Sequence, residues 1–409
     1  MDNAGKNPAR SSIFAYPFTI LFFLGCCVLA AFTDHRGLSF FFGFLFLLTL
    51  CSRAWGKAAL RNLIYQLELP TSGVFPGQTL TVTRSLLNNK LLPLIWVEIL
   101  EPCEPQGVLV PDEDLIVANP VDAAEHEAPA YSCLYTFTLL GYRQTLRLSD
   151  RWEAKRRGIH CISEVLLRSG DGFGLCAASQ TVALNPARRV AVYPELVDVS
   201  TEQVIKDMWD SRSESHGFLE DTTLVKSVRD YLPGDPARAI NQRLLAKGLG
   251  LKLNQYESVT PDAVLFLLDT ASFLNKPARI FEEVLSILGS LLVGLTKRGI
   301  AAGLVVPAFD YFPETCVSPS ASELELTRML ELLAAATPGQ NGISSIDASI
   351  NPEQIGQTYY ISYSAKNATS ISLMHAFLPH RQQLLAWETE EATEWDVRVA
   401  SIRQFGRVP

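Results

Sequence analysis

The sequence predicts a membrane-anchored multidomain protein with a transmembrane helical hairpin, a β-sandwich of immunoglobulin-like type and an α/β domain. Two apolar runs open the chain, strand-like segments with frequent turn signals follow, and the last part alternates apolar strands with amphipathic helices. The expected parts, in chain order, are residues 1–12 (cytoplasmic N-terminus), 13–55 (two transmembrane helices), 58–195 (sandwich), 196–222 (connector) and 223–409 (α/β domain).

The hairpin prediction rests on residues 13–33 and 38–51, which are almost entirely apolar. A helix needs about 20 mostly apolar residues to cross a bilayer. The first run meets this length unaided, whereas the second meets it only by continuing past Arg53, whose side chain can snorkel. A cleaved signal peptide is the alternative for the first run. Its length, and the second apolar run directly after it, argue against cleavage.

Basic residues predict the orientation of the hairpin. Lys6 and Arg10 precede the first run, and Arg53, Lys57 and Arg61 follow the second. By the positive-inside rule, both ends of the hairpin then face the cytoplasm. The eight cysteines include no Cys-x-x-Cys pair, which fits a reducing compartment, and the net charge of -8 argues against a nucleic-acid partner. We therefore expect a multi-pass protein of the inner (plasma) membrane, with the lipid bilayer as a partner and the soluble body in the cytoplasm.

Two textures divide the soluble body. Residues 79–83, 94–100, 131–140 and 145–148 are rich in β-branched and aromatic residues with period-two patterns, which predicts an all-β sandwich. Further on, strands and helices alternate, which predicts a largely parallel sheet. The expected strands are 263–268, 301–306 and 358–362, and the expected helices are 279–298 and 324–336.

A basic motif, Arg-Asp-Tyr-Leu-Pro-Gly-Asp-Pro-Ala-Arg-Ala-Ile-Asn, occupies residues 229–241. Pro233 and Gly234 predict a turn, after which Asp235 caps a helix that starts at Pro236 and ends at Lys247. One interpretation is a structural ion network; the other is an anchoring surface for an acidic partner segment or a phosphate. The candidate interaction residues are Arg229, Asp230, Tyr231, Gly234, Asp235, Arg238 and Asn241.

This motif resembles that of the membrane family called "domain of unknown function fifty-eight". Residues 157–160 and 169–175 resemble the Arg-Gly-x-Tyr and Asp-Pro-Phe-Gly-Leu signatures of that family, and residues 192–194 resemble its following strand. The resemblance covers nearly the whole chain. It implies a bacterial membrane protein with a β-sandwich and a von Willebrand factor A-like domain, of unproven biochemical role, which works with a MoxR-type AAA+ ATPase.

The chain departs from this family at three positions. Gln242 replaces the Trp that follows the Ile-Asn pair, His160 replaces an aromatic residue, and Gly172 replaces a proline. The loss of an indole at position 242 removes a side chain that is well suited to packing or docking.

Asp269 marks a second constellation, at the end of the first predicted α/β strand. Von Willebrand A domains bind a divalent cation through Asp-x-Ser-x-Ser, but this chain has Ala271 and Phe273 at the two hydroxyl positions. We therefore expect no metal, and Asp269 would cap the next helix or turn. A divalent-cation-dependent ligand-binding module that uses Asp269 is the alternative.

Searches of the sequence for enzyme motifs are negative. It contains no Gly-x-x-x-x-Gly-Lys-Ser/Thr loop, no Gly-x-Ser-x-Gly elbow and no His-Glu-x-x-His pair. We therefore predict a noncatalytic interaction or scaffold protein that needs no cofactor and takes part in complex assembly or envelope maintenance. A hydrolase with unrecognised catalytic residues is a third reading, because a fold does not exclude chemistry.

Overall fold

A computed structural model describes most of the 409 residues. The described residues are 17–33, 35–70, 73–103, 107–111, 116–118, 131–214, 220–233, 235, 240–258, 263–307, 316–339, 355–364, 382–388 and 398–405. The chain divides into two compact units, Met1–Tyr193 and Pro194–Pro409.

Two apolar helices begin the first unit, α1 (Pro17–Phe32) and α2 (Arg36–Ala59). Among the described residues, α2 is the helix long and apolar enough to cross a membrane, and α1, with 16 residues, is shorter. The expectation that the first run spans unaided is therefore not met within residues 17–33. Helix α2 gains its length because it continues through Arg53 and Lys57 to Ala59.

Two antiparallel sheets with one shared core complete the first unit. Their strands are β1 (Leu63–Glu68), β2 (Thr79–Asn88), β3 (Leu94–Pro102), β4 (Leu109–Val110), β5 (Ile116–Ala118), β6 (Tyr131–Leu140), β7 (Thr145–Ala154), β8 (Gly158–Gly170) and β9 (Ala177–Val192). The strand orders are β1-β2-β7-β4 and β5-β6-β3-β8-β9. Leu67 and Val82 from one sheet share a core with Val97 and Val165 from the other, so the unit is a β-sandwich.

A six-stranded sheet forms the centre of the second unit. Its strands are β12 (Ala263–Leu268), β13 (Ala301–Val305), β14 (Cys316–Ser320), β15 (Gln357–Ser364), β16 (Gln382–Glu388) and β17 (Arg398–Ser401). They follow the order β14-β13-β12-β15-β16-β17, and β14 is the one antiparallel member among the described strands. Helices α5 (Ala278–Lys297) and α6 (Glu323–Ala335) supply core residues, so the expected α/β architecture with a largely parallel sheet is present.

The segment predicted as a connector, residues 196–222, contains helix α3 (Glu202–Glu214). Val204 on this helix is fully buried in the core of the α/β unit, and Asp207 accepts a hydrogen bond from the Tyr359 hydroxyl at 3.1 Å. The connector prediction is therefore wrong for this helix, which belongs to the second unit. The sequence did not predict this packing, because α3 is mostly polar and charged and buries only a few residues.

Between α3 and the large sheet, the chain forms a two-stranded antiparallel ribbon, β10 (Glu220–Asp230) and β11 (Lys252–Ser258). We call β10, β11 and the residues between them the arm. The arm contains a five-residue helix, α4 (Gln242–Ala246), with Asn241 as its N-cap. A continuous helix from Pro236 to Lys247 is not formed, because Ile240 pairs with Leu253 as an isolated β-bridge and α4 begins at Gln242. Pro236 itself lies outside the described residues.

Candidate functional site

The arm brings together several residues of the predicted motif where β10 ends. The guanidinium of Arg229 donates to both carboxylate oxygens of Asp235, with N–O distances of 2.8 Å each. The same carboxylate accepts the backbone N–H of Leu232 at 2.8 Å, and the Asp235 N–H donates to the Leu232 carbonyl at 3.0 Å. Asp235 thus closes the Leu232–Asp235 turn.

Electrostatics favour the charged forms of this pair. The hydrogen bond from Arg229, followed by the N–H of Leu232, lowers the pKa of Asp235, and the hydrogen bond to Asp235 raises the pKa of Arg229. The Arg229 side chain is 36 % exposed and the Asp235 side chain 17 %. A bidentate pair in this position therefore serves to fix the geometry of the turn more than to add stability.

The other motif residues hold the end of β10 against the start of β11 and cap α4. Lys252 Nζ lies 2.6 Å from Asp230 Oδ1, and the Tyr231 N–H donates to the Leu251 carbonyl at 3.1 Å. Asn241 Oδ1 accepts the N–H groups of Arg243 and Leu244, each at 3.1 Å, while its Nδ2 donates to Asn254.

Not all of the predicted site can be placed. The structure brings together Arg229, Asp230, Tyr231, Asp235 and Asn241, whereas Gly234 and Arg238 lie outside the described residues. Gln242, which stands where the resembled family has Trp, is exposed on the first turn of α4.

Sequence reasoning missed a group of leucines displayed at the tip of the arm. The side chains of Leu232, Leu245, Leu249 and Leu251 are 60 %, 46 %, 57 % and 48 % exposed. Gly248 and Gly250 flank Leu249 with φ angles of 73° and 81°, a conformation that only glycine adopts readily. The available signal was this Gly-Leu-Gly-Leu sequence, since glycines on both sides of a leucine indicate a turn that cannot bury it.

Cations accompany these leucines. Arg243 and Lys247 are both exposed on or next to α4. An apolar tip with cations beside it is suited to an amphipathic segment that carries carboxylates.

Asp269 lies at the carboxyl end of β12 and is completely buried. Its Oδ1 accepts the Ala271 N–H at 3.1 Å, and its Oδ2 accepts the Tyr360 hydroxyl at 2.7 Å. Ser272 donates to the Asp269 carbonyl at 2.8 Å and accepts the Tyr363 N–H at 3.0 Å. This carboxylate organises the 3-10 turn Ala271–Phe273. Within the described part of the chain, no group of three or more His, Cys, Asp or Glu side chains is placed to hold a metal ion.

Comparison with known proteins gives few relatives. No family model matches the chain. It is 24% identical over 246 residues to the uncharacterized protein YeaD of Bacillus subtilis (strain 168). The match covers 60% of this chain and 56% of that protein, so the chain spans little more than half of its relative.

Solved structures resemble the chain only weakly. The CARDB domain of the PF1109 protein from Pyrococcus furiosus, solved with di-metal ions, matches 32% of this chain and 92% of its own, with 12% identity and a TM-score of 0.19. A cohesin module from a family 33 glycoside hydrolase of Clostridium perfringens covers 32% of this chain and 96% of its own, with 11% identity and a TM-score of 0.22. Likeness at this level carries no argument about function.

Proposed function

We propose that this protein is a noncatalytic, membrane-anchored interaction protein whose arm docks a cytoplasmic partner. Helices α1 and α2 would both cross the bilayer, and the soluble body would lie in the cytoplasm. The basic residues that flank the two apolar runs support this orientation. When the six strands of the α/β sheet, β12 to β17, are numbered 1 to 6 in chain order, their order across the sheet is 3-2-1-4-5-6. This is the order of a doubly wound fold, and it supports a von Willebrand factor A-like domain.

The exposed tip of the arm carries this proposal. Apolar side chains on a soluble surface usually occur singly, whereas the arm displays four leucines close together in sequence or by pairing. The Arg229–Asp235 pair and the Asn241 cap fix the backbone beneath them. A surface fixed before binding loses less conformational entropy when the partner arrives.

The partner that we propose is a MoxR-type AAA+ ATPase, on the strength of the sequence resemblance. The exposed Arg243 and Lys247 suit a partner segment that combines carboxylates with apolar side chains. Anchoring would work as tethering, because a membrane-bound protein raises the effective concentration of its partner at the bilayer without additional contacts.

Affinity purification of the full-length protein from detergent extracts tests this proposal. The variants are Asp235→Ala, Arg238→Ala and Leu249→Asp, and the matched control is Leu324→Asp, since Leu324 is 64 % exposed on α6. We expect the arm variants to lose an AAA+ ATPase that the control retains. An unchanged set of partners in all variants would contradict the proposal.

A charge swap sharpens this test. Arg229→Asp or Asp235→Arg alone breaks the bidentate pair, whereas the double variant can form it again with opposite polarity. Recovery of the partner in the double variant, which restores the ion pair but not the carboxylate that accepts the N–H of Leu232, would assign the effect to the ion pair and not to one charge.

A further inference from the structure

Large apolar side chains are exposed at one end of the β-sandwich. Between residues 60 and 193, six such side chains in the described part of the chain are at least 36 % exposed. They are Ile64, Leu91, Ile95, Leu139, Tyr142 and Phe173, with Leu91 at 81 % and Phe173 at 72 %. We call these six residues the apolar rim.

Hydrogen bonds place three rim segments beside the end of α2. Lys90, next to Leu91, donates from Nζ to the carbonyl of Ala59, the last residue of α2. Asn88 donates from Nδ2 to the carbonyls of Leu140 and Gly141, between Leu139 and Tyr142, at 3.1 and 3.0 Å. The Asn89 N–H donates to the Asn62 carbonyl at 3.1 Å, which fixes the start of β1 and Ile64 at the same end.

Phe173 is held beside α2 by the loop that carries it. Asp171 accepts hydrogen bonds on Oδ1 from the N–H groups of Leu175 and Cys176 at 3.0 and 3.2 Å, and Ser52 of α2 donates to its Oδ2. A Cβ added to Gly172 would lie 3.0 Å from Cδ1 of Ile95, and Gly174 has a φ of 71°. The hydrogen bond from Ser52 thus holds the 171–176 loop, with the exposed Phe173, beside α2.

One face of α2 carries small residues, which lets the 171–176 loop pack closely against the helix. Thr49, Ser52, Gly56 and Ala59 recur on one side of the helix and are buried. A Cβ added to Gly56 would lie 2.5 Å from the sulfur of Cys176, so the glycine permits close approach of helix and loop. The last turns of α2 are therefore part of the sandwich.

The length of the apolar run then sets the depth of the rim. Residues 38–51 give about 21 Å of helix, less than the hydrocarbon thickness of about 30 Å. If Leu38 lies at one boundary, the other falls roughly 20 residues later, near Lys57. Ser52 and Gly56 lie within about 8 Å of that boundary along the helix, so the 171–176 loop that they hold lies close to the membrane surface.

Cations surround the rim although the chain as a whole has a net charge of -8. Arg53, Lys57 and Arg61 lie at the end of α2, and Arg143 stacks over the Tyr142 ring with 5.2 Å between its guanidinium carbon and the ring centroid. Exposed apolar and aromatic side chains among cations are suited to the headgroup layer of an anionic membrane.

We infer that the apolar rim docks into the headgroup layer of an anionic bilayer, so that the sandwich rests on the membrane surface. The inference depends on the proposed crossing of the bilayer by α2. The length of α2, the exposed apolar side chains and the nearby cations all favour one monolayer of anionic lipid as the binding partner of the rim.

Photo-cross-linking of the full-length protein in nanodiscs tests this inference. The photoreactive residue p-benzoylphenylalanine replaces Leu91 or Phe173 in the rim, or Leu324 in the α/β unit as the control. The discs contain equal amounts of phosphatidylglycerol and phosphatidylcholine. We expect lipid adducts at both rim positions, about fivefold enriched in the anionic lipid as one nearby cation would produce, and none at position 324.

Carbonate extraction of the same variants separates this inference from the anchoring proposal. Resistance to extraction without lipid adducts at positions 91 and 173 would overturn docking of the rim and leave α2 as an anchor. Adducts to protein at both positions would also overturn it and identify a protein interface. Release by carbonate would contradict the anchoring proposal and, with it, this inference.

Discussion

Arg84 and Glu101 form a bidentate ion pair inside the β-sandwich, with Nε–Oε1 and Nη2–Oε2 distances of 2.6 and 2.7 Å. Both side chains are almost completely buried, at 1% and 0% exposure. Asp150 accepts a further hydrogen bond from Arg84, and the Tyr65 hydroxyl donates to Glu101. Burial opposes the charge on Arg84, but the hydrogen bonds and charge of Glu101 raise its pKa above the ordinary value.

Removal of one partner from this pair should destabilise the protein strongly. We expect Glu101→Gln to lower the free energy of unfolding by about 3–5 kcal/mol, because it leaves a buried guanidinium with less compensation. Urea unfolding in detergent, followed by tryptophan fluorescence, measures the change. In the double variant with Arg84→Met the loss should be smaller than the sum of the two single losses. Strict additivity would show that the two side chains are not coupled.

His160 should make the stability depend on pH. Burial lowers its pKa to about 4, its imidazole packs against Trp152 with ring centroids 5.4 Å apart, and its Nε2 has no hydrogen-bond partner among the described residues. Below about pH 6.5 the His160 imidazole binds a proton in the unfolded chain but stays neutral in the folded protein. Stability attributable to this group should therefore fall between about pH 6.5 and pH 4, by on the order of 2–3 kcal/mol.

His160→Phe checks this dependence. Unfolding of both proteins is measured at several pH values, and the difference between them should widen in favour of the variant as the pH falls. His35→Gln, which changes an exposed histidine, is the control. Parallel curves for His160→Phe and the wild type would rule out this origin of the pH dependence.

Much of the fold follows from apolar periodicity. The buried run 263–268 and the helix expected at 279–298 match β12 and α5 within a residue at each end, because burial on both faces or on one stripe leaves a direct pattern. The start of α4 differs from the prediction, because Asp235-Pro236 has the residue types of a helix start whereas Asn241 caps the helix that forms. The ion pair to Arg229, six residues earlier in the chain, commits Asp235 to a turn.

The candidate site was predicted only in part for a related reason. Charged residues identify the motif in the sequence, and the Gly-Leu-Gly-Leu sequence signals the turn at Leu249, but exposure of Leu232 and Leu245 depends on tertiary structure. Arg84 shares the buried face of β2 with Val82 and Leu86 by period-two alternation, but only the structure shows that Glu101 of β3 compensates its buried charge.

Gly56 should tolerate no larger side chain. Gly56→Ala places its Cβ 2.5 Å from the Cys176 sulfur and should cost about 1–3 kcal/mol in the free energy of unfolding. Gly25→Ala on α1 is the matched control, because no atom lies within 4 Å of the added Cβ. Thermal unfolding in detergent compares them. Cys176→Ala added to Gly56→Ala should restore most of the loss, and equal effects of the two glycine variants would contradict the close approach.

Asp269 should act as a structural carboxylate. Asp269→Ala leaves the buried Tyr360 hydroxyl and the Ala271 N–H without their acceptor and should lower the free energy of unfolding by about 1–3 kcal/mol. Millimolar Mg²⁺ or Mn²⁺ should leave the unfolding midpoint of the wild type unchanged. A rise in that midpoint, absent from Asp269→Asn, would instead support the cation-dependent reading.

Helix α3 determines where the α/β unit can be cut. A fragment that begins at residue 223, after the predicted connector, would lose Val204 from the core and leave the Tyr359 hydroxyl without Asp207. Loss of α3 would expose the apolar core residues that it covers, and such a fragment should aggregate. A failed expression trial with this fragment would therefore not test whether the α/β unit folds on its own. A fragment that begins at Pro194 retains α3 and should be used for experiments on the isolated second unit.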